Sequence, residues 1–303
     1  MTAIAIWFNQ EESRGIWAVS DSRVSQGNSV MTDNVPKIFS IPVKVTRCED
    51  MLHRSPVHIF DFGFCFAGST IIGTNVKEML SISISNLTEV NFSSGGAPVN
   101  NEAQTFKSFY PSLVDIAKLT KFFGEKYIRS LGELFPENVR TSMSVFGYCF
   151  KMRKFIVVKM SNSPESPAAL DMSIHEFNGD EYILLGDSQS ELSNAIEHTR
   201  SQFVENSLNW WRAPFIALNN WVNQQVSSTI GGYTQLCISN EFRTKVEHLS
   251  NINDQGLQTS YAGINYTDEF SSSIGGFILM PMSSMTLPGV DGWPQGNLVR
   301  RHP

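Results

Sequence analysis

The order in which hydrophobic periodicity changes along the chain restricts its fold more than any other feature. Apolar segments of strand character come first: TAIAIWF (2–8), GIWAVS (15–20), KIFSIPVKV (37–45) and HIFDFGFCFAG (58–68). Between the second and third, residues 21–35 are rich in Ser, Asn and Asp and read as a loop. The period then lengthens. From Ser69 to Leu87 the residues Ile71, Ile72, Val76, Met79, Leu80 and Ile84 recur at helical spacing, with a helix start at Gly68 to Thr70. An exposed loop (93–104) leads to a second amphipathic helix from Ser112 to Phe135. Strand signals return at Met143 to Phe150, Lys154 to Met160, 171–177 and 181–187, and helices at Leu192 to Val204 and Pro214 to Val226, around the pair Trp210 and Trp211. A strand (233–239) follows Gly231 and Gly232. One or two more are expected within 261–270 and 274–282, with irregular chain from Leu287 onward. Blocks of strands, two helices, strands, two helices and strands specify an α+β layer architecture, with antiparallel sheets in the middle and helix pairs outside.

Composition narrows the function. The 303 residues are 41% hydrophobic and 17% charged, which suits one large domain or a domain with an appendage. A formal charge of -6 supplies no basic field for a nucleic acid. Cys48, Cys65, Cys149 and Cys237 show no close pairing, and two of them sit in apolar runs, so they are expected to be reduced core thiols. No segment reaches the ~20 apolar residues of a membrane helix, and the first residues lack a basic signal region. The expectation is a cytoplasmic protein with no membrane partner. Six histidines (His53, His58, His175, His198, His248 and His302) are scattered without ligand spacing. Neither a metal nor a cofactor is assigned.

Four features bear on chemistry. Thr2 follows the initiator and opens a strand. A hydroxyl is a weak nucleophile until a base takes its proton, and a free α-amino group on the same residue, which ordinarily titrates near pH ~8, can be that base. Asp21 ends the second strand and Lys37 begins the next. A lysine beside such a nucleophile favours the neutral amine and lowers the hydroxyl pKa, and a carboxylate keeps the lysine charged and oriented. Alone, each is equally a solvated charge at a strand end. Gly68 stands at a strand-to-helix junction, where a backbone N–H can stabilise an oxyanion, or where a tight turn simply needs a small residue.

These segments, with Thr2, Asp21 in DSR, Lys37 in VPKIF and Gly68 in FAGST, resemble the start of proteasome β-subunits and their bacterial relatives, including the HslV peptidase and Anbu-type proteins. Lys37 follows Asp21 by 16 residues, the spacing of that family. The resemblance continues more weakly through 142–150, through LLGDSQSEL and through the turn before Gly231, reaching about Asn240. It implies an N-terminal nucleophile (Ntn) hydrolase: a four-layer αββα sandwich of two antiparallel sheets flanked by helix pairs, spanning 1–240, with 241–303 as an extension packed on the same domain. It further implies that Thr2, exposed once Met1 is removed, attacks a peptide carbonyl, with Asp21 and Lys37 assisting and Gly68 holding the oxyanion. Asp187 and Ser188 are candidates to support the terminal amine. Before Gly231 this chain offers Ser227, Ser228 and Thr229 and lacks the Asp of active family members; Ser228 is the candidate there. The family's substrate pocket corresponds to the surroundings of Asp21, Ser22, Met31 and Thr70.

The implied partners are a peptide or unfolded protein substrate, further copies of the chain in a ring or spiral, and an ATPase or regulator. Trp210, Trp211 and Trp221 are candidates for subunit contacts or for the core. Two other readings stay open: a non-catalytic Ntn-fold subunit of an assembly, and an amidase acting on a non-peptide amide.

Overall fold

The computed structural model describes residues 2–10, 14–27, 29–48, 54–88, 110–133, 139–253, 256–265, 273–278 and 285–286. Chain order begins with β1 (Ala3–Asn9), β2 (Gly15–Ser20), β3 (Val24–Gln26), β4 (Ser29–Thr32), β5 (Ile38–Cys48) and β6 (Arg54–Gly68). Then come α1 (Thr70–Ile84), β7 (Leu87–Thr88), α2 (Leu113–Gly132), β8 (Thr141–Cys149), β9 (Lys154–Ser161), β10 (Asp171–His175) and β11 (Tyr182–Gly186). The last part holds α3 (Gln189–Arg200), α4 (Leu208–Trp211), α5 (Ala213–Gln224), β12 (Gln235–Ser239), β13 (Thr244–Asn253), β14 (Gly256–Tyr261) and β15 (Ile264–Asn265), followed by three two-residue strands.

Two mixed-order sheets dominate. One runs β11-β1-β2-β12-β13-β14-β15 and the other β10-β9-β8-β6-β5-β7. Strand alternation explains how both are buried on two faces. Ala3, Ala5 and Trp7 of β1, with Trp17 and Val19 of β2, pack with Leu192, Ile196, Phe215 and Leu218 of α3 and α5. Their alternates Ile4, Ile6, Ile16 and Ala18 pack instead with Cys65, Phe146 and Val157 of the other sheet. On the far side of that second sheet, Phe60, Phe62, Phe64 and Phe66 meet Ile72, Val76 and Leu80 of α1 and Ile116 and Ile128 of α2. Each such fully buried side chain contributes about 1.5–3 kcal/mol.

Local chemistry fixes the helices that cover the second sheet. Ser112 and Asp115 exchange a capping box at the start of α2, the Ser112 side chain accepting from Asp115 N–H at 3.1 Å. Gly73 lets α1 lie on Phe66, since a Cβ there would sit 2.2 Å from the ring.

Several expectations are corrected. The loop expected at 21–35 contains the β3–β4 hairpin. The first helix ends at Ile84, and Leu87 and Thr88 pair parallel to Val45 and Thr46 instead of continuing it. The long strands of the C-terminal part are β13 and β14, which pair along Asn253 to His248 and extend the first sheet; they precede the segments expected to be strands. Of the two roles left open for the tryptophans, the core is the one seen: Trp210 and Trp211 are buried, and Trp221 packs against the core beneath α5. Met1, the loop at 93–104 and the tail from Leu287 lie outside the described residues. No described helix is long and apolar enough to cross a membrane.

Candidate active site

Thr2 is 4% exposed and leads directly into β1. Its carbonyl accepts from Asp187 N–H at 3.0 Å, one residue beyond the Ala3 to Gly186 register pair of β1 and β11. Gly186 is required for this approach. Its φ is +92°, and a Cβ would stand 1.9 Å from the Thr2 carbonyl oxygen and 3.3 Å from Ala67 Cβ. The start of β1, the end of β11 and the end of β6 therefore converge on one spot.

Asp21, just past β2, is wholly buried and accepts four hydrogen bonds. Its Oδ1 takes Ala3 N–H at 3.2 Å and Lys37 Nζ at 2.9 Å; its Oδ2 takes Arg23 N–H and Gly231 N–H, each at 3.2 Å. One oxygen thus joins the residue after Thr2 to the lysine. Lys37, 1% exposed and just before β5, also donates to the Arg23 carbonyl at 2.6 Å. An ammonium has three donors, and these two bonds leave one for a further acceptor. Burial holds the Lys37 pKa below the ordinary lysine value of 10.5, and the Asp21 charge opposes that fall.

The pair is held by residues that sequence reasoning missed. Gln235, 1% exposed at the start of β12, accepts from Lys37 N–H at 3.0 Å and donates to the carbonyls of Asp21 at 3.3 Å and Val35 at 2.8 Å. Its one amide therefore ties the backbones of both ionic residues together. Arg23 binds both carboxylate oxygens of Asp33, at 2.6 and 3.2 Å, pinning the β3–β4 hairpin, and this bond raises the Arg23 pKa further. The Ser22 hydroxyl bonds the Asp33 carbonyl and accepts from Tyr233 N–H at 2.7 Å. No local signal marks Gln235 in the sequence, where it merely opens the segment QLCIS that becomes β12.

Gly68 closes β6 with φ +94°, and a Cβ there would lie 2.3 Å from the Arg140 carbonyl. It lines a cleft of about 170 Å³ together with Arg140, Lys159, Gly186, Asp187 and Gln189. Of the predicted set, Asp21 and Lys37 are hydrogen-bonded to each other, and Thr2 adjoins them through its neighbour Ala3, whose N–H bonds Asp21. Gly68 and Asp187 adjoin the same convergence point from the cleft side.

The remaining candidates are placed less directly. Ser188 occupies the position before α3 with φ 56° and makes no capping bond. Asp187 contributes its backbone N–H to Thr2, while its carboxylate faces Arg140 at 3.4 Å. Ser228 enters through its carbonyl, which accepts from Arg23 at 3.3 Å, and its side chain is exposed. Asp21 and Ser22 are fully buried, Met31 is 64% exposed on β4, and neither these nor Thr70 lines the cleft. No group of His, Cys, Asp and Glu with metal-holding geometry occurs among the described residues.

Comparison with solved structures finds a similarity to Anbu, an ancestral beta-subunit from Yersinia bercovieri. The two chains are 14% identical, with 79% of this chain and 82% of that one covered and a TM-score of 0.47. No protein-family profile matches the chain, and no curated protein matches it.

Proposed function

We propose that this chain is an N-terminal threonine hydrolase of proteasome-like fold, a four-layer αββα sandwich whose nucleophile is Thr2 freed by removal of Met1, and that it cleaves peptide bonds. The observation that carries the reading is the Asp21 carboxylate, which bonds Ala3 N–H and Lys37 Nζ with a single buried oxygen beside Thr2. A carboxylate and an ammonium enclosed against a strand's first residue are costly to bury. That cost is understandable where a reacting group needs their field.

In this mechanism the Thr2 Oγ attacks the substrate carbonyl carbon while the Thr2 α-amine takes its proton. The Gly68 N–H and the Lys37 ammonium stabilise the charge that develops, with Asp21 keeping Lys37 protonated despite its burial. The proton passes to the departing amine as the C–N bond breaks, leaving an ester on Thr2. Water, activated by the same α-amine, then hydrolyses the ester and restores the hydroxyl. An oxyanion donor typically contributes about 3–4 kcal/mol to such a step. The sequence resemblance supports peptide bonds as the target, and a cytoplasmic homo-oligomer as the working form.

The test is turnover of a panel of fluorogenic peptide amides by the full chain with Met1 removed. Cleavage of at least one member, abolished in Thr2→Ala and in Lys37→Met, is the expected result. Equal residual rates in the parent and Thr2→Ala would overturn the peptidase reading in favour of a non-catalytic assembly subunit or an amidase of non-peptide amides.

A further inference from the structure

Lys159 brings a charge without a carboxylate partner to the edge of the cleft, where β9 meets β11 of the other sheet. On β9 the side chains alternate: Val157 belongs to the apolar cluster between the sheets, and Ser161 lines the cleft, so Lys159 between them shares that inward face. Its ammonium donates to the Leu184 carbonyl at 3.1 Å. No carboxylate lies within ion-pair distance of it among the described residues. Burial alone lowers its pKa, unlike Lys37, whose fall is opposed by Asp21.

The other charges around the cleft are already matched. Arg140 and Asp187 face each other at 3.4 Å, so the cleft retains the one positive charge of Lys159. The same cleft abuts the start of α3, whose N-cap residue Ser188 makes no side-chain capping bond, so the first N–H groups of this helix add to the positive potential there. Its wall includes Gly68 and Gly186, the two glycines flanking the Thr2 convergence point.

We propose that this cleft is a substrate subsite for a carboxylate, with Lys159 as the specificity-determining residue. The preferred substrate is then a peptide carrying Glu or Asp in the segment that lies over the turn of Gly186 and Asp187. The inference rests on the hydrolase reading for calling the occupant a substrate, but the binding itself needs no turnover. A carboxylate in the cleft accepts from the free donors of Lys159 and completes the pairing that the fold leaves open.

The experiment uses the Thr2→Ala protein, so that no cleavage intervenes. Binding of the peptide acetyl-Ala-Ala-Glu-Ala-Ala-amide is compared with that of its Gln counterpart by ligand-observed NMR. The Glu peptide is expected to bind about tenfold more tightly, the size of one charge-assisted hydrogen bond. The ratio should collapse to about one when Lys159→Met is added, with folding checked by circular dichroism. As a readout independent of that variant, acetylation of Lys159 by an activated ester, followed by mass spectrometry, should be slowed by the Glu peptide and not by the Gln peptide. Equal binding of the two peptides, binding of neither, or a Glu preference that leaves Lys159 acetylation unchanged overturns the proposal. A Glu preference dependent on Lys159 in a protein that shows no turnover sustains the subsite and refutes the hydrolase reading; turnover without that preference does the reverse.

Discussion

The Lys37 ammonium donates to Asp21 Oδ1 at 2.9 Å in a setting where neither side chain reaches solvent, at 1% and 0% exposure. A pair so placed is poor evidence of stability, because withdrawing both charges from water offsets most of their attraction. The pair also holds the Ala3 N–H, next to Thr2, and its removal has consequences that differ with pH.

Burial lowers the Lys37 pKa in the folded chain from 10.5. Between the lowered value and 10.5 the unfolded chain carries a proton that the folded chain lacks, so stability rises with pH across that window. Below it both states are protonated, and the full cost of burying the ammonium is felt. Asp21→Asn removes the main group opposing the shift. The window should therefore open at lower pH, and the variant should lose about 3–5 kcal/mol at neutral pH, part of which returns as pH rises. Urea unfolding of parent and variant across a pH series checks the sign. A variant whose deficit is the same at every pH would show that Asp21 does not govern Lys37.

Gln235→Leu keeps the side chain's size but abandons Lys37 N–H and the carbonyls of Asp21 and Val35. Each buried backbone group left without a partner costs about 1–3 kcal/mol. The expected result is a loss of at least that amount in chemical unfolding, together with a kcat decrease of about a hundredfold from misplacement of Lys37. Unchanged kcat in a destabilised protein would confine Gln235 to folding.

Two glycines with positive φ should respond differently to the same added methyl. Gly27, with φ +57° and no atom within 4 Å of where a Cβ would stand, should lose about 1 kcal/mol as Ala through backbone strain alone. Gly186, with φ +92°, would in addition drive a Cβ to 1.9 Å from the Thr2 carbonyl. Gly186→Ala is expected to cost several times more and to abolish activity, as read by thermal melting and peptide turnover. Equal losses at both positions would show that the approach of Thr2 to Gly186 is not what the site depends on.

The C-terminal strands reach the site as well. Gly263, in the turn between β14 and β15, has φ +84° and lies so close to Ser22 that a Cβ would meet Ser22 Cβ at 2.6 Å and Gln235 Nε2 at 2.9 Å. Gly263→Val should therefore weaken both the fold and turnover, by about 1–3 kcal/mol in stability, although the residue lies far from Thr2 in sequence. Parent-like melting and turnover would show that this turn yields without consequence.

The parts of the fold that were legible in the sequence are those whose burial is local in origin. Strands β1 and β2 show themselves because both of their faces are apolar, and α1 because Ile72, Val76 and Leu80 follow helical spacing. Strand β13 was illegible because its sequence, TKVEHLSNIN, mixes charge, His and Asn; its pairing with β12 and β14 defines it more than its own composition does. The same division holds at the site. Asp21 and Lys37 stand at strand ends where a charge is conspicuous, whereas Gln235 and Gly231 reach Asp21 from the far end of the chain, through contacts that no local pattern encodes.

Treatment of the full chain with a peptide epoxyketone tests the central claim most directly, because that electrophile must engage a hydroxyl and a free amine on one residue. The expected product has a mass lacking Met1 and carrying one inhibitor, with tandem mass spectrometry locating the adduct on Thr2 and Thr2→Ala remaining unmodified. A chain that retains Met1, or a trimmed chain with no adduct on Thr2, would contradict an N-terminal threonine nucleophile.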